Sequence, residues 1–169
     1  FFDKPNIIAV YVDASSHEGW WYEGAGIYRH VWLVKTEKTA VDLWGVYVNP
    51  IKDGEVWRTE TETTVINCGE TGEVTVKSVI KAPDGSETAQ AIGTVQIVEY
   101  GKVTLEQSVT VKNPLLWDIE TPNLYSIETT LVKDGEEIDK IVNKFGFRTI
   151  EYRAESGFYL NGRHVRING

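Results

Sequence analysis

An antiparallel β-sandwich of about seven strands, in an all-β chain, is what this sequence predicts, and three observations predict it. Between Ala40 and Ile150, short runs alternate apolar and polar residues with a period of two, the pattern of strands with one buried face. Turn formers separate these runs at regular spacing: Pro50, Asp53-Gly54, Gly69-Glu70-Thr71-Gly72, Pro83-Asp84-Gly85, Tyr100-Gly101, Pro114 and Asp134-Gly135. No stretch sustains a 3.6-residue apolar period, so no long helix is expected.

The elements follow in order. Residues 6–13 are rich in β-branched side chains and read as a strand. Residues 14–19 form a polar loop, and 27–35 alternate as a second strand leading out of a first region. The charged connector Lys35-Thr36-Glu37-Lys38-Thr39 marks a boundary. The sandwich strands are then expected at 41–48, 55–67, 75–81, 89–98, 102–111, 124–132 and 137–150. Seven strands fit an immunoglobulin-like count, without the paired cysteines of antibody domains. After a linker at 151–157, residues 158–167 read as a hairpin around Asn161-Gly162.

Composition narrows the function classes. In 169 residues there is room for one sandwich of about 100 residues with flanking pieces. A hydrophobic content of 41%, with six Trp and eight Tyr, suffices to fill its core. The net charge of −8, without clustered Lys and Arg, argues against nucleic acid. Cys68, the only cysteine, admits no intrachain disulfide or thiolate metal site and reads as a small filler near a turn. His17, His30 and His164 have no ligand spacing, so neither a metal nor a cofactor is expected. No run approaches the ~20 apolar residues of a membrane-spanning helix, so no membrane partner is expected. The chain begins at Phe1, lacks methionine and shows no signal peptide, as expected of a piece processed or cut from something longer.

One candidate binding group stands out. Trp20, Trp21 and Tyr22 precede Gly24 and Gly26, an aromatic platform suited to the apolar face of a sugar ring, with Glu23 accepting hydroxyl hydrogen bonds. The same rings would serve equally for packing between domains. Gly24 and Gly26 are not a dinucleotide fingerprint, because Tyr28-Arg29 follows where a third glycine and a helix belong. Glu60, Glu62, Glu70 and Glu73 read as solvated positions, because carboxylate catalysis needs a pair facing across a pocket. Trp117, between Pro114 and Pro122, reads as an anchor for the crossing into the next strand. Arg148 is expected to meet a carboxylate or backbone carbonyl at a domain junction.

Three motifs carry a resemblance. Pro114-Leu115-Leu116-Trp117, Pro122-Asn123-Leu124-Tyr125 and Gly146-Phe147-Arg148 resemble the immunoglobulin-like domain of glycoside hydrolase family 2 β-galactosidases. The run from Trp21 to Arg29 is similar to the passage from that family's sugar-binding jelly roll into the sandwich. The run from Phe158 to Gly169 resembles the lead into its catalytic barrel. The resemblance implies a jelly-roll remnant at 1–37, an immunoglobulin-like β-sandwich at 38–150, and a linker and hairpin leading into a barrel at 151–169.

Retaining glycosidases use two carboxylates about 5 Å apart. In the resembled family both are glutamates on barrel strands, at the end of the fold where such sites lie. Neither corresponds to a residue of this chain, so no catalytic residue is assigned. The resemblance implies a non-catalytic part of an enzyme that hydrolyses terminal β-galactosides, with the sandwich as spacer and support. Its partners would be the carbohydrate substrate of the parent enzyme and the remaining domains of the same polypeptide. Location, bacterial cytoplasmic or periplasmic and secreted, stays open. So do three other readings: a free carbohydrate-binding module resting on Trp20, Trp21 and Tyr22, a surface adhesion domain, and part of a β-glucuronidase or β-mannosidase.

Overall fold

The structure is a computed structural model and describes residues 3–13 and 26–168. The chain divides into two units, Phe1–Lys35 and Thr36–Gly169. In the first, the described parts of 6–13 and 27–35 carry no strand pairing, unlike the two strands their composition predicts. β-branched residues favour an extended backbone, but a strand exists only when its N–H and C=O groups find a neighbour.

The second unit is all-β among its described residues. Its strands are β1 (Thr39–Asp53), β2 (Val56–Asn67), β3 (Gly72–Lys81), β4 (Glu87–Ile97), β5 (Lys102–Lys112), β6 (Tyr125–Lys133) and β7 (Glu136–Phe145). Three shorter ones follow, β8 (Ile150–Arg153), β9 (Gly157–Leu160) and β10 (Arg163–His164). The first seven form two antiparallel sheets, ordered β1-β2-β5 and β4-β3-β6-β7, and the last three form a small sheet ordered β10-β9-β8. This is an immunoglobulin-like sandwich followed by a hairpin.

The turns explain the register. Asp134 and Gly135 both have positive φ, 54° and 85°, as a two-residue hairpin turn with the sheet's own twist requires. Asn161 and Gly162, at 52° and 78°, repeat that turn between β9 and β10. Pro50 does not stop β1, which continues to Asp53 with Pro50 opposite Thr59. β1 has a single neighbour, and a proline without an N–H is tolerated on such an edge strand. On its other edge the Val41 amide donates to Asp139 Oδ2 of β7 at 2.8 Å, joining the two sheets. A bulge between Val41 and Val46 bends this strand.

Between the sheets lie two apolar clusters. One unites Val41, Val65, Val74, Val76, Val95, Ile97 and Leu131. The other unites Trp57, Ile80, Val111, Tyr125, Ile127 and Phe147. The alternation Thr59-Glu60-Thr61-Glu62-Thr63 turns its glutamates outward and its threonines into the core. The hydroxyls of Thr59, Thr61 and Thr63 find no hydrogen-bond partner among the described residues. Composition cannot reveal this, because threonine suits either face of a strand. Cys68 is exposed rather than a filler, since β2 ends at Asn67 and the inward alternation ends with it.

Candidate functional site

One end of the sandwich gathers the motifs Pro114-Leu115-Leu116-Trp117, Gly146-Phe147-Arg148 and Asn161-Gly162. The seventh strand stops at Phe145, short of the expected 150, because the chain must pass close to Trp117. A Cβ on Gly146 would lie 2.8 Å from Trp117 Cβ and 3.1 Å from Cγ, so glycine alone permits the approach. Phe147 then pairs with Leu116 in an isolated parallel bridge, and the Trp117 amide donates to the Phe147 carbonyl at 2.8 Å.

Asparagine side chains, each with a donor and an acceptor, hold the loop. Asn123 Nδ2 donates to the Leu116 carbonyl at 3.0 Å. Asn161 Nδ2 donates to the Trp117 carbonyl at 2.9 Å, while its Oδ1 accepts from the Thr149 amide at 3.0 Å. The Asn161 amide donates to the Thr149 carbonyl at 2.9 Å, and Arg163 meets Asp118 at 2.6 Å. The hairpin of β9 and β10 is thereby clamped to the sandwich. Burial pushes the Asp118 carboxyl up, but the Ile119 amide and the Arg163 guanidinium outweigh it and hold the group below its ordinary range.

Beside this clamp lies an open groove of about 520 Å³, lined by Val48, Pro50, Trp117, Leu124, Phe145 and Ile150, with Asn49, Gly146 and Arg148 completing it. The Arg148 guanidinium sits 4.8 Å from the centre of the Trp117 ring. Trp117 thus serves as the anchor its flanking prolines suggested. No carboxylate among the described residues lies within 4.0 Å of Arg148, so of the two partners expected from sequence, a carboxylate or a backbone carbonyl, the carboxylate is not found there.

Trp20, Trp21 and Glu23, the sugar-platform candidates, lie outside the described residues. Glu62, Glu70 and Glu73 are exposed, while Glu60 is half-buried and pairs with Arg58. Glu62 and Glu106 stand opposite each other in the β2–β5 ladder, side by side on one sheet face rather than across a cleft. Among the described residues, no three His, Cys, Asp or Glu side chains converge as a metal site would need.

On the outer face of the four-stranded sheet, Glu128 receives Lys140 at 2.8 Å and Lys81 at 3.1 Å. Both lysines, Lys140 foremost, hold its carboxyl below the ordinary value of 4.5. A lowered folded-state pKa gives stability that is present above the unfolded value and lost as pH falls through the folded one. Glu128→Gln is therefore expected to destabilise the sandwich at pH 7 by a margin on the order of 1 kcal/mol at most. That margin shrinks as pH falls below 4.5, which urea midpoints at pH 7 and pH 3 would read.

Comparison with known proteins matches this architecture. The sequence profile of Glycosyl hydrolases family 2 covers residues 39–148. The chain is 40% identical over 171 residues to β-galactosidase BoGH2A of Bacteroides ovatus, spanning 99% of this chain and 20% of that protein. It is 28% identical to a β-glucuronidase of Bacteroides fragilis, over 85% of this chain and 22% of that protein. The crystal structure of a β-glycosidase from Bacteroides vulgatus superposes with a TM-score of 0.77 at 28% identity, covering 94% of this chain and 20% of the other. The chain thus spans about a fifth of the length of these relatives. With the profile covering the sandwich and a relative at 40% identity across nearly every residue, the chain belongs to glycosyl hydrolases family 2.

Proposed function

We propose that this chain is a non-catalytic part of a retaining β-galactosidase, with its sandwich holding other domains in place. The clamp of Asn161 and Arg163 on the Trp117 loop carries the supporting role. A hairpin fixed at both its turn and its following strand gives the polypeptide one direction of departure from the sandwich. A spacer that positions a catalytic domain needs that rigidity, since a small misplacement of reacting groups costs large factors in rate.

The galactoside specificity is supported by the 40% identity to a β-galactosidase across 99% of the chain, against 31% to a putative β-glucuronidase across 97% of it. No catalytic role is proposed for the strand-face glutamates, which lack an enclosing cleft. Purified chain is expected to release no nitrophenol from nitrophenyl β-galactoside, and a longer polypeptide carrying it to release it readily. Turnover by the 169-residue chain would overturn the non-catalytic reading. Turnover of a β-glucuronide or β-mannoside in preference by the longer polypeptide would replace the specificity. Saturable quenching of tryptophan fluorescence by galactosides in the chain alone would instead favour a binding module.

A further inference from the structure

The arginines at the clamped end of the sandwich differ in whether they meet an acid. Asp118 is held by Arg163 at 2.6 Å, and Glu151 is held by Arg153 at 2.8 Å. Arg148 has no ionic partner among the described residues, although the chain carries a net charge of −8. It is also held in place: its guanidinium rests 4.8 Å above the Trp117 ring, and that ring is fixed against Gly146. A guanidinium stacked on an indole keeps its donor fork free and is more weakly hydrated than an ammonium, which suits a carboxylate at an interface.

The groove below Arg148 is built for a polypeptide rather than a sugar. Its walls are Val48, Pro50, Trp117, Leu124, Phe145 and Ile150, and beyond Arg148 its polar side-chain groups are only the Asn49 amide and the Trp117 indole N–H. Leu124 and Ile150 remain 43% and 48% exposed at its rim, apolar surface that water covers poorly. A sugar would need several convergent hydrogen-bonding groups to replace its hydration, and this lining does not provide them. A peptide segment needs one anchor charge and apolar contact on either side.

We propose that this groove is a docking socket for a segment of the same longer polypeptide that presents an Asp or Glu carboxylate, flanked by apolar side chains, to Arg148. The inference rests on the reading of this chain as part of a larger enzyme, and names the surface through which the sandwich would bear on another part of it. The pair would be partly desolvated between Trp117 and the groove walls. There it specifies orientation more than it adds raw affinity.

The test uses the longer polypeptide with Arg148→Lys, which places a primary amine where the guanidinium was. Carbodiimide then joins amines to carboxylates already in contact, and mass spectrometry identifies the linked peptide. A link from position 148 to an Asp or Glu outside residues 1–169 of the same polypeptide is expected. Absence of any such link, or a link within residues 1–169 or between two copies, overturns the proposal.

A second measurement follows amide hydrogen exchange at residues 146–150 in the longer polypeptide. Arg148→Glu is expected to speed exchange by about tenfold, the factor that corresponds to losing about 1.4 kcal/mol of local protection, and Arg148→Gln by less. Unchanged exchange in both variants also overturns the socket. Hydrolysis of nitrophenyl β-galactoside is assayed on the unsubstituted sample. Activity without the link defeats the socket alone, while the link without glycosidase activity defeats the functional reading alone.

Discussion

Phe147→Ala is expected to cost the sandwich about 3–5 kcal/mol, the range for removing a fully buried aromatic ring. Phe147 is fully buried and lies edge-on to three other rings: Tyr125 at 4.8 Å, Phe145 at 5.2 Å and Trp57 at 5.5 Å. Such arrangements add to area burial, so the loss should fall at the upper end of the range. The ring sits beyond the end of β7, where no continuous ladder holds the chain, and its carbonyl receives the Trp117 amide. Removing it should therefore loosen the Trp117 loop as well. Urea unfolding would measure the stability loss, and a red-shifted tryptophan emission before the transition would report the loosened loop. A loss under about 1 kcal/mol would mean that this cluster does not hold the end of the sandwich together.

Asn67→Ala is expected to cost about 3 kcal/mol or more, because removing a buried side chain that bonds several groups at once leaves most of them without that partner. Asn67 is 1% exposed. Its Oδ1 accepts from Thr39 Oγ1 at 2.8 Å and from the Gly69 amide at 3.0 Å. Its Nδ2 faces the carbonyls of Gly69 at 3.1 Å, Glu70 at 3.0 Å and Val98 at 3.1 Å. One side chain thus ties the ends of β1 and β2 to the turn toward β3 and to the end of β4. Asn67→Asp should be worse than alanine at neutral pH, since it aims a charge at three carbonyl oxygens. Denaturation midpoints of both variants at pH 7 would check the order.

The seven strands were legible because each is bounded by a residue with a mechanical reason to turn. Gly135 and Gly162 occupy backbone conformations that glycine favours, and Asp134 and Asn161 are among the few other residues that adopt them readily. Two misplacements at the ends have a common cause. Pro50 signals a break only if the strand has neighbours on both sides, and the end of β7 depends on contact with Trp117, far away in sequence. The same limit applies to the clamp. Asn161 reads as a turn former, and nothing nearby in the chain says that its side chain will meet the Trp117 carbonyl. The sequence suggested a carboxylate or backbone carbonyl for Arg148, and its stacking on the Trp117 ring was not legible there. The burial of Thr59, Thr61 and Thr63 depended on which of two faces meets the other sheet, a choice that alternation alone leaves open.

The open side of β1 has a consequence for behaviour at high concentration. An unpaired strand edge is a template on which a second copy can add its own strand, the first step toward aggregates and fibrils. Here the Val41 N–H is already taken by Asp139, Pro50 has no N–H to offer, and the bulge between Val41 and Val46 breaks the straight row of donors that an incoming strand would need. This edge of β1 therefore offers an incoming strand fewer and less regular donors than a straight, uninterrupted strand of the same length would.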